Sequence, residues 1–248
     1  MFGIGLTAEG AELFRPTGLD KIMQKRFLFV IAILLANLAA PSQVAAEAGV
    51  PLSGKVLLDE LRKGGYVVYF RHTKTLPEHA HEAAMRRQGR WRLDDCETQR
   101  NLSEDGYYEA RHQRDMVSKL GIPYAAVYAS AACRTRIHAE WVAQGIEFSD
   151  ALTPLRSREK GLIVRNMLNT APAPGANTFM FAHGGILWNA TDYDSEESET
   201  FVFRPAPAGQ PPELIATIKI GDWEKLARGE MCCAPRAFWS GQGEPPVD

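Results

Sequence analysis

An arginine and a histidine stand side by side where an apolar run of this 248-residue chain ends. Residues 66–70 are mostly β-branched or aromatic, which is typical of a buried strand, and Arg71 and His72 follow directly. Histidine can act as a nucleophile that carries a phosphoryl group, and the planar fork of arginine binds phosphate oxygens. Open α/β sheets bind ligands at the carboxyl ends of their strands, so this pair indicates phosphate chemistry.

Two more apolar runs end in residues of the same chemical kind. Residues 125–129 lead through a short segment to Arg134, and residues 178–182 are followed by His183 and two glycines. Because parallel strands bring their carboxyl ends to one edge of a sheet, these side chains can converge on the first pair. Together they would form a cationic pocket that suits a phosphate dianion and the charge on its transferring oxygens.

Helices and strands alternate along the chain. The predicted helices are 55–62, 103–120, 134–144 and 155–168, and the predicted strands are 66–70, 125–129, 178–182, 201–203 and 214–220. This alternation predicts an α/β fold, a three-layer α/β/α sandwich around a mostly parallel central sheet. Residues 73–101 are polar and rich in His and Arg, and we interpret them as a short insert that forms a loop or small lid.

The composition is that of a globular protein whose partner is not nucleic acid. Apolar residues make up 45% of the chain and charged residues 23%, which excludes a disordered chain. The formal net charge is −2, so there is no basic excess that would attract a polyanionic backbone.

Residues 1–46 have the features of an export leader. Basic residues precede an apolar stretch at 27–40, and small residues that suit a signal peptidase follow it. Residues 1–22 do not resemble the start of a signal peptide, whereas Met23 lies directly before Gln-Lys-Arg. We therefore expect that 1–22 reflects a misassigned start and that 23–46 is the signal peptide.

Cleavage of this leader would leave residues 47–248 as a periplasmic or secreted domain. The apolar stretch is shorter than the roughly 20 residues that span a bilayer. We therefore expect no stable membrane span once the leader is removed, and a retained membrane anchor is the alternative.

The motifs at the three strand ends resemble those of the histidine phosphatase superfamily, also called the phosphoglycerate mutase-like fold. The resemblance rests on Arg71-His72, on Arg134 in its Ser-x-x-x-Arg setting, and on His183-Gly184, in that order along residues 66–220. The segments Asp-Cys-Glu-Thr-Gln-Arg-Asn-Leu-Ser at 95–103 and Cys-Arg-Thr-Arg at 133–136 further resemble an exported bacterial branch.

This resemblance implies an exported phosphatase that hydrolyses phosphomonoesters through a phosphohistidine. His72 would attack phosphorus, while Arg71, Arg134 and His183 would bind the phosphoryl oxygens. A carboxylic acid would protonate the leaving oxygen, and water would discharge the intermediate. The implied partner is a small phosphorylated substrate, and the mechanism needs no metal or other cofactor.

The proton donor is less clearly marked in the sequence. Gly184 follows His183, so a carboxylate directly after the second histidine, one arrangement known in the superfamily, is absent. The carboxylates that fit by position are Glu147, Asp150, Glu159 and Glu199. We take Glu199, just before strand 201–203, as the predicted acid, and the alternative for each is a solvated surface carboxylate.

Other interpretations stay open at this point. A mutase-like phosphotransferase would discharge the phosphohistidine differently, and a non-catalytic phosphate-binding envelope protein would lack a working acid. His79 and His81 have carboxylates beside them and could bind a metal, but a polar loop explains them as well. His138 lies one helical turn after Arg134, so it either faces the rim of the pocket or is a surface histidine.

Four cysteines allow three disulfide pairings, and an exported chain can form them. Cys96 and Cys133 both lie beside elements assigned to the pocket, so a disulfide between them would pin the insert to the second strand's loop. The alternative is free thiols there, with Cys232 or Cys233 taking one partner.

Overall fold

The computed structural model describes residues 52–77, 79–154, 157–207 and 209–234. The predicted leader and start, residues 1–46, lie outside the described residues. Within the described part of the chain, no helix has the length and apolar character needed to cross a bilayer.

A six-stranded sheet with helices on both faces organises the chain. The strands are β1 (Val67–Arg71), β2 (Tyr124–Ala129), β3 (Ile146–Phe148), β4 (Asn177–Ala182), β5 (Thr200–Arg204) and β6 (Glu213–Ile218). The helices are α1 (Gly54–Lys63), α2 (His79–Arg87), α3 (Glu104–Leu120), α4 (Cys133–Val142), α5 (Arg158–Leu168), α6 (Gly184–Thr191) and α7 (Asp222–Ala227). The strand order is β3-β2-β4-β1-β5-β6; the first four strands are parallel, β5 is antiparallel to β1, and β6 to β5.

The predicted three-layer sandwich is confirmed. One face of the sheet packs against α1, α3, α4 and α7, and the other face packs against α5 and α6. Phe70 and Phe181 enter the first core, whereas Tyr69 and Met180 enter the second. The central strands are continuous apolar runs because both of their faces are covered.

The structure adds elements that the sequence pattern did not predict. β3 is a three-residue edge strand, α7 has six residues, and both are too short to show a clear hydrophobic period. α6 begins at the glycine pair after His183, where no helix was predicted. The insert contains α2, a polar helix, and a 3₁₀ turn at Cys96–Thr98.

The two ends of the insert pair with each other where they join the domain, and we call this paired segment the neck. Thr75 and Leu102 form an antiparallel bridge, and the amide of Leu76 donates to the carbonyl of Asn101 at 2.9 Å. α3 begins directly after this neck, where the capping residue Ser103 accepts a hydrogen bond from the amide of Gly106 at 3.1 Å. The ends of the insert are therefore fixed beside the carboxyl end of β1.

Cys96 and Cys133 form a disulfide, as one of the two interpretations predicted. The alternative of free thiols at these positions is wrong, because Cys232 and Cys233 are joined to each other. The first bond links the 3₁₀ turn of the insert to the first residue of α4, directly before Arg134. It therefore provides a second attachment of the insert to the domain.

Removing this bond should destabilise the protein measurably. The Cys96→Ala/Cys133→Ala variant is expected to lose about 4 kcal/mol of unfolding free energy, because the bond closes a loop with a sequence separation of 37 residues. Urea unfolding followed by circular dichroism measures the loss.

The second disulfide offers a matched control. Cys232→Ala/Cys233→Ala removes a bond between adjacent residues, which closes almost no loop, so its loss should stay below about 1 kcal/mol. Equal losses in the two double variants would contradict the loop-closure explanation.

Candidate active site

The carboxyl ends of three neighbouring parallel strands carry the residues of the site. The amide of His72 donates to the carbonyl of Ala182 at 3.1 Å, and the amide of Ser130 donates to that of Phe181 at 3.0 Å. The ladder therefore continues one residue beyond β1 and β2, on either side of β4. This register places His72, His183 and Ser130 at one edge of the sheet, as the sequence predicted.

His72 is oriented as a nucleophile. Its Nδ1 lies 3.0 Å from the carbonyl oxygen of Thr73, which can only accept, so Nδ1 carries the proton and Nε2 the lone pair. Nε2 is buried and hydrogen-bonds to no described residue. Burial, followed by the charges of Arg134 and Arg71 and the nearby His183, holds the pKa of His72 well below its ordinary value. The imidazole is therefore neutral at neutral pH.

His183 lies next to it, with the two ring centroids 5.3 Å apart. Its Nε2 is 3.0 Å from the hydroxyl of Ser130 and 3.1 Å from that of Thr135, and these contacts fix the ring. Nδ1 is buried and hydrogen-bonds to no described residue. Burial and the surrounding arginine charges hold the pKa of His183 well below its ordinary value. The Nδ1 edge is thus the side of this ring that a ligand can use.

Arg71 packs against the first residue of α6. Its Nη1 donates to the carbonyl of Ser195. A Cβ at position 184 would lie only 2.8 Å from this Nη1 and 2.9 Å from the hydroxyl oxygen of Ser195. Gly184 is therefore needed for the close approach of the guanidinium, and a carboxylate side chain there would displace it.

Arg134 is fully buried at the start of α4 and meets a carboxylate of the insert. Its Nη1 lies 3.0 Å from Oε2 of Glu82, on α2. The neighbouring Arg100 is also buried, and its Nη2 lies 3.3 Å from Oε1 of Glu197. The site therefore has three buried arginines, counting Arg71, within the described residues.

Among the predicted acids, the structure brings only Glu199 to the site. Its backbone carbonyl accepts from the amide of Arg71 at 3.0 Å, its side chain is buried, and Oε2 accepts from the amide of Glu196 at 2.8 Å. The other three predicted carboxylates are exposed on the surface: Glu147, Asp150 and Glu159.

Glu82 and Arg100 are the site residues that sequence reasoning did not assign. Both lie in the insert, where no apolar period indicates which side chains turn inward. Arg100 was within the segment that resembles the exported branch, so that motif held a signal. No comparable motif includes Glu82, which only lies close in sequence to the histidines at 79 and 81.

Neither interpretation of His138 is right. The ring is fully buried beneath the sheet, edge-on to Phe70 and Phe181 at centroid distances of 6.0 and 5.0 Å. Nε2 lies 2.6 Å from Oε1 of Gln113, whose amide nitrogen donates to the carbonyl of Ser198. Burial lowers the pKa of His138 to about 3. This neutral histidine supports the segment before β5 because α4 turns it toward the core.

Of the residues suspected of binding a metal, His81 and Glu82 make other contacts, and the side chain of His79 lies outside the described part of the structure. Nε2 of His81 lies 2.7 Å from the carbonyl oxygen of Glu97, and Glu82 is bonded to arginines. Over the described part of the chain, no group of three His, Cys, Asp or Glu side chains is placed to bind a metal ion.

Comparisons with known proteins find matches among solved structures. No family model and no curated protein matches the chain. The protein histidine phosphatase SixA complexed with tungstate is 14% identical, with a TM-score of 0.47, and the match covers 63% of this chain and 98% of that chain. A phosphoserine phosphatase from Entamoeba histolytica in complex with 3-phosphoglyceric acid is 10% identical, with a TM-score of 0.38 and coverages of 61% and 95%.

At these scores, the chemistry of the chain must be inferred from its own side chains. The α/β/α fold with its mostly parallel sheet is as predicted. The motifs that resemble those of the histidine phosphatase superfamily meet at one edge of that sheet, with two histidine rings beside buried arginines.

Proposed function

We propose that this protein is a phosphatase that hydrolyses phosphomonoesters through a phosphohistidine on His72. The observation that carries the proposal is the state of this ring: neutral, buried, with Nδ1 bonded to a carbonyl and the Nε2 lone pair unoccupied. A ring held in this tautomer can attack phosphorus without first losing a proton.

The charges around the ring suit a transferring phosphoryl group. Arg71 and Arg134 supply fixed positive charge within a buried site, where its effect is larger than in water. Nδ1 of His183 can donate to a phosphoryl oxygen if Nε2 accepts from a hydroxyl. These groups would offset the negative charge that spreads over the oxygens as phosphorus changes partners.

The reaction would proceed in two displacements. Nε2 of His72 forms a bond to phosphorus as the ester P–O bond breaks, and the leaving oxygen takes a proton from an acid. Water then attacks phosphorus, the N–P bond breaks, and inorganic phosphate and the free imidazole are released. From the leader alone, we further propose that the enzyme acts in the periplasm or outside the cell.

Trapping the intermediate tests this proposal. Purified protein is mixed with 4-nitrophenyl phosphate and quenched in alkali, in which phosphohistidine survives, and peptide mass spectrometry locates the phosphoryl group. We expect turnover together with one phosphoryl group on His72. Phosphate binding by calorimetry without turnover would instead indicate a non-catalytic binding protein, and a phosphoryl group on another residue would overturn the assignment.

A further inference from the structure

Glu82 anchors the insert to the pocket through charge rather than through apolar packing. It is 3% exposed, and no other described side chain of α2 is buried. A helix that buries a carboxylate and no apolar residue gains little from the hydrophobic effect. The neck and the disulfide fix the ends of the insert, and within it the contacts of this one carboxylate hold α2 to the site.

Those contacts hold the carboxylate at the phosphate-binding arginine. Oε2 lies 3.0 Å from Nη1 of Arg134 and accepts from the amide of Arg100 at 2.9 Å. Oε1 accepts from Nε and Nη2 of Arg86 at 3.0 and 2.6 Å. An oxygen that reaches Arg134 lies within a side chain's length of any phosphate ester bound there.

We propose that Glu82 donates the proton to the leaving oxygen of the substrate. The proposal rests on the proposed function, because it names the acid of the same site. The insert would thus complete the active site, supplying the acid from above while the strand ends supply the nucleophile and the cationic groups.

The balance of charges around Glu82 explains how a carboxylate among arginines can hold a proton. Burial raises the pKa of Glu82, but the charge of Arg134 and the hydrogen bonds from Arg100 and Arg86 outweigh it, so the net pKa is lowered. A phosphate bound to Arg134 would offset that charge and bring a second negative group close. The effect of burial would then dominate, and Glu82 would take up a proton as the substrate binds.

The proton balance closes over one turnover. Protonated Glu82 gives its proton to the ester oxygen as the P–O bond breaks and the bond from Nε2 of His72 to phosphorus forms. The resulting carboxylate then takes a proton from the water that attacks the phosphohistidine. Glu82 is protonated again, ready to pass that proton to phosphate or solvent, and no other reactant is consumed.

The dependence of rate on leaving group separates an acid from a merely structural residue. In Glu82→Gln, kcat for an alkyl phosphate such as glycerol phosphate should fall by about 10²- to 10³-fold, because the poor leaving group needs the proton. For 4-nitrophenyl phosphate, whose leaving group departs without a proton, the fall should stay below about 10-fold. Glu199→Gln, which changes the acid predicted from the sequence, is the matched comparison and should slow both substrates alike.

Each other result has a definite meaning. Equal losses on both substrates in Glu82→Gln, or the leaving-group pattern in Glu199→Gln instead, would overturn the inference while leaving the phosphatase intact. A wild-type protein with no turnover and no phosphohistidine would overturn the proposed function itself. If Glu82→Gln fails to fold by circular dichroism, Glu82→Asp replaces it. This variant keeps an acid but moves it by one methylene, so the loss should again be larger for glycerol phosphate than for 4-nitrophenyl phosphate, and equal losses on the two substrates would count against the inference.

Discussion

Replacing His72 by alanine is expected to lower kcat for phosphomonoester hydrolysis by about 10⁴-fold or more and to abolish the phosphoenzyme. The variant removes Nε2, the atom that bonds to phosphorus in the proposed mechanism, and neither of the other two buried histidines among the described residues is placed to replace it. The ring of His183 is held by two hydroxyls at Nε2, and that of His138 lies beneath the sheet. Initial rates with 4-nitrophenyl phosphate and mass spectrometry of quenched protein measure both effects.

Controls must separate lost chemistry from lost folding, because His72 is fully buried. His72→Asn keeps much of the side-chain volume and an NH group that can donate to the Thr73 carbonyl, and it should be as inactive as alanine. His112→Ala, on the half-buried side of α3, should retain wild-type turnover and melting temperature. If His72→Ala retained more than about a tenth of the wild-type rate, the nucleophile would have to be another group.

The strand ends of the site were predictable because buried parallel strands leave a strong local signal. Residues 66–70 and 179–182 are apolar throughout, since helices cover both faces of β1 and β4. A charged residue that interrupts such a run marks the strand end to within one position. Arg71, His72 and His183 could therefore be located, and parallel order was enough to bring them to one edge.

The position of the insert could not be predicted, because it depends on contacts between residues that are far apart in the sequence. α2 has no apolar stripe, and its position is fixed by the neck between Thr75 and Leu102, by the disulfide, and by the ion pair of Glu82. The disulfide could be offered only as one of two alternatives, and the ion pair could not be foreseen at all. A buried carboxylate in a polar helix resembles a surface carboxylate until its partner is known.

The helix that begins at the glycine pair after His183 has no local signal in the sequence. Two adjacent glycines usually favour a turn, yet α6 begins at the first of them. The reason is tertiary, since Gly184 leaves room for the guanidinium of Arg71. The position of His138 also depends on tertiary packing. The sequence placed it one helical turn after Arg134, but it did not show which side of α4 packs on the sheet.

Replacing Arg134 by lysine should lower kcat/KM for phosphomonoesters by about 10²- to 10³-fold, the typical cost of removing one donor that stabilises developing oxygen charge. Lysine keeps the positive charge but loses the planar fork, which spans two oxygens at once and, in this structure, also meets Glu82. Steady-state kinetics with 4-nitrophenyl phosphate measure the loss. Because the leaving group of this substrate departs without a proton, the effect of the proton donor does not enter the result.

Arg114→Lys is the matched control, because Arg114 is a half-buried residue of α3 that pairs with Asp115 and makes no contact with the site residues. It should change kcat/KM by less than about 3-fold. Added guanidinium ion offers a second test: in Arg134→Ala it should restore part of the lost rate, since it can occupy the emptied cavity and bind the same oxygens. No loss in Arg134→Lys, or no rescue of Arg134→Ala by guanidinium ion, would mean that Arg134 does not bind the transferring phosphoryl group.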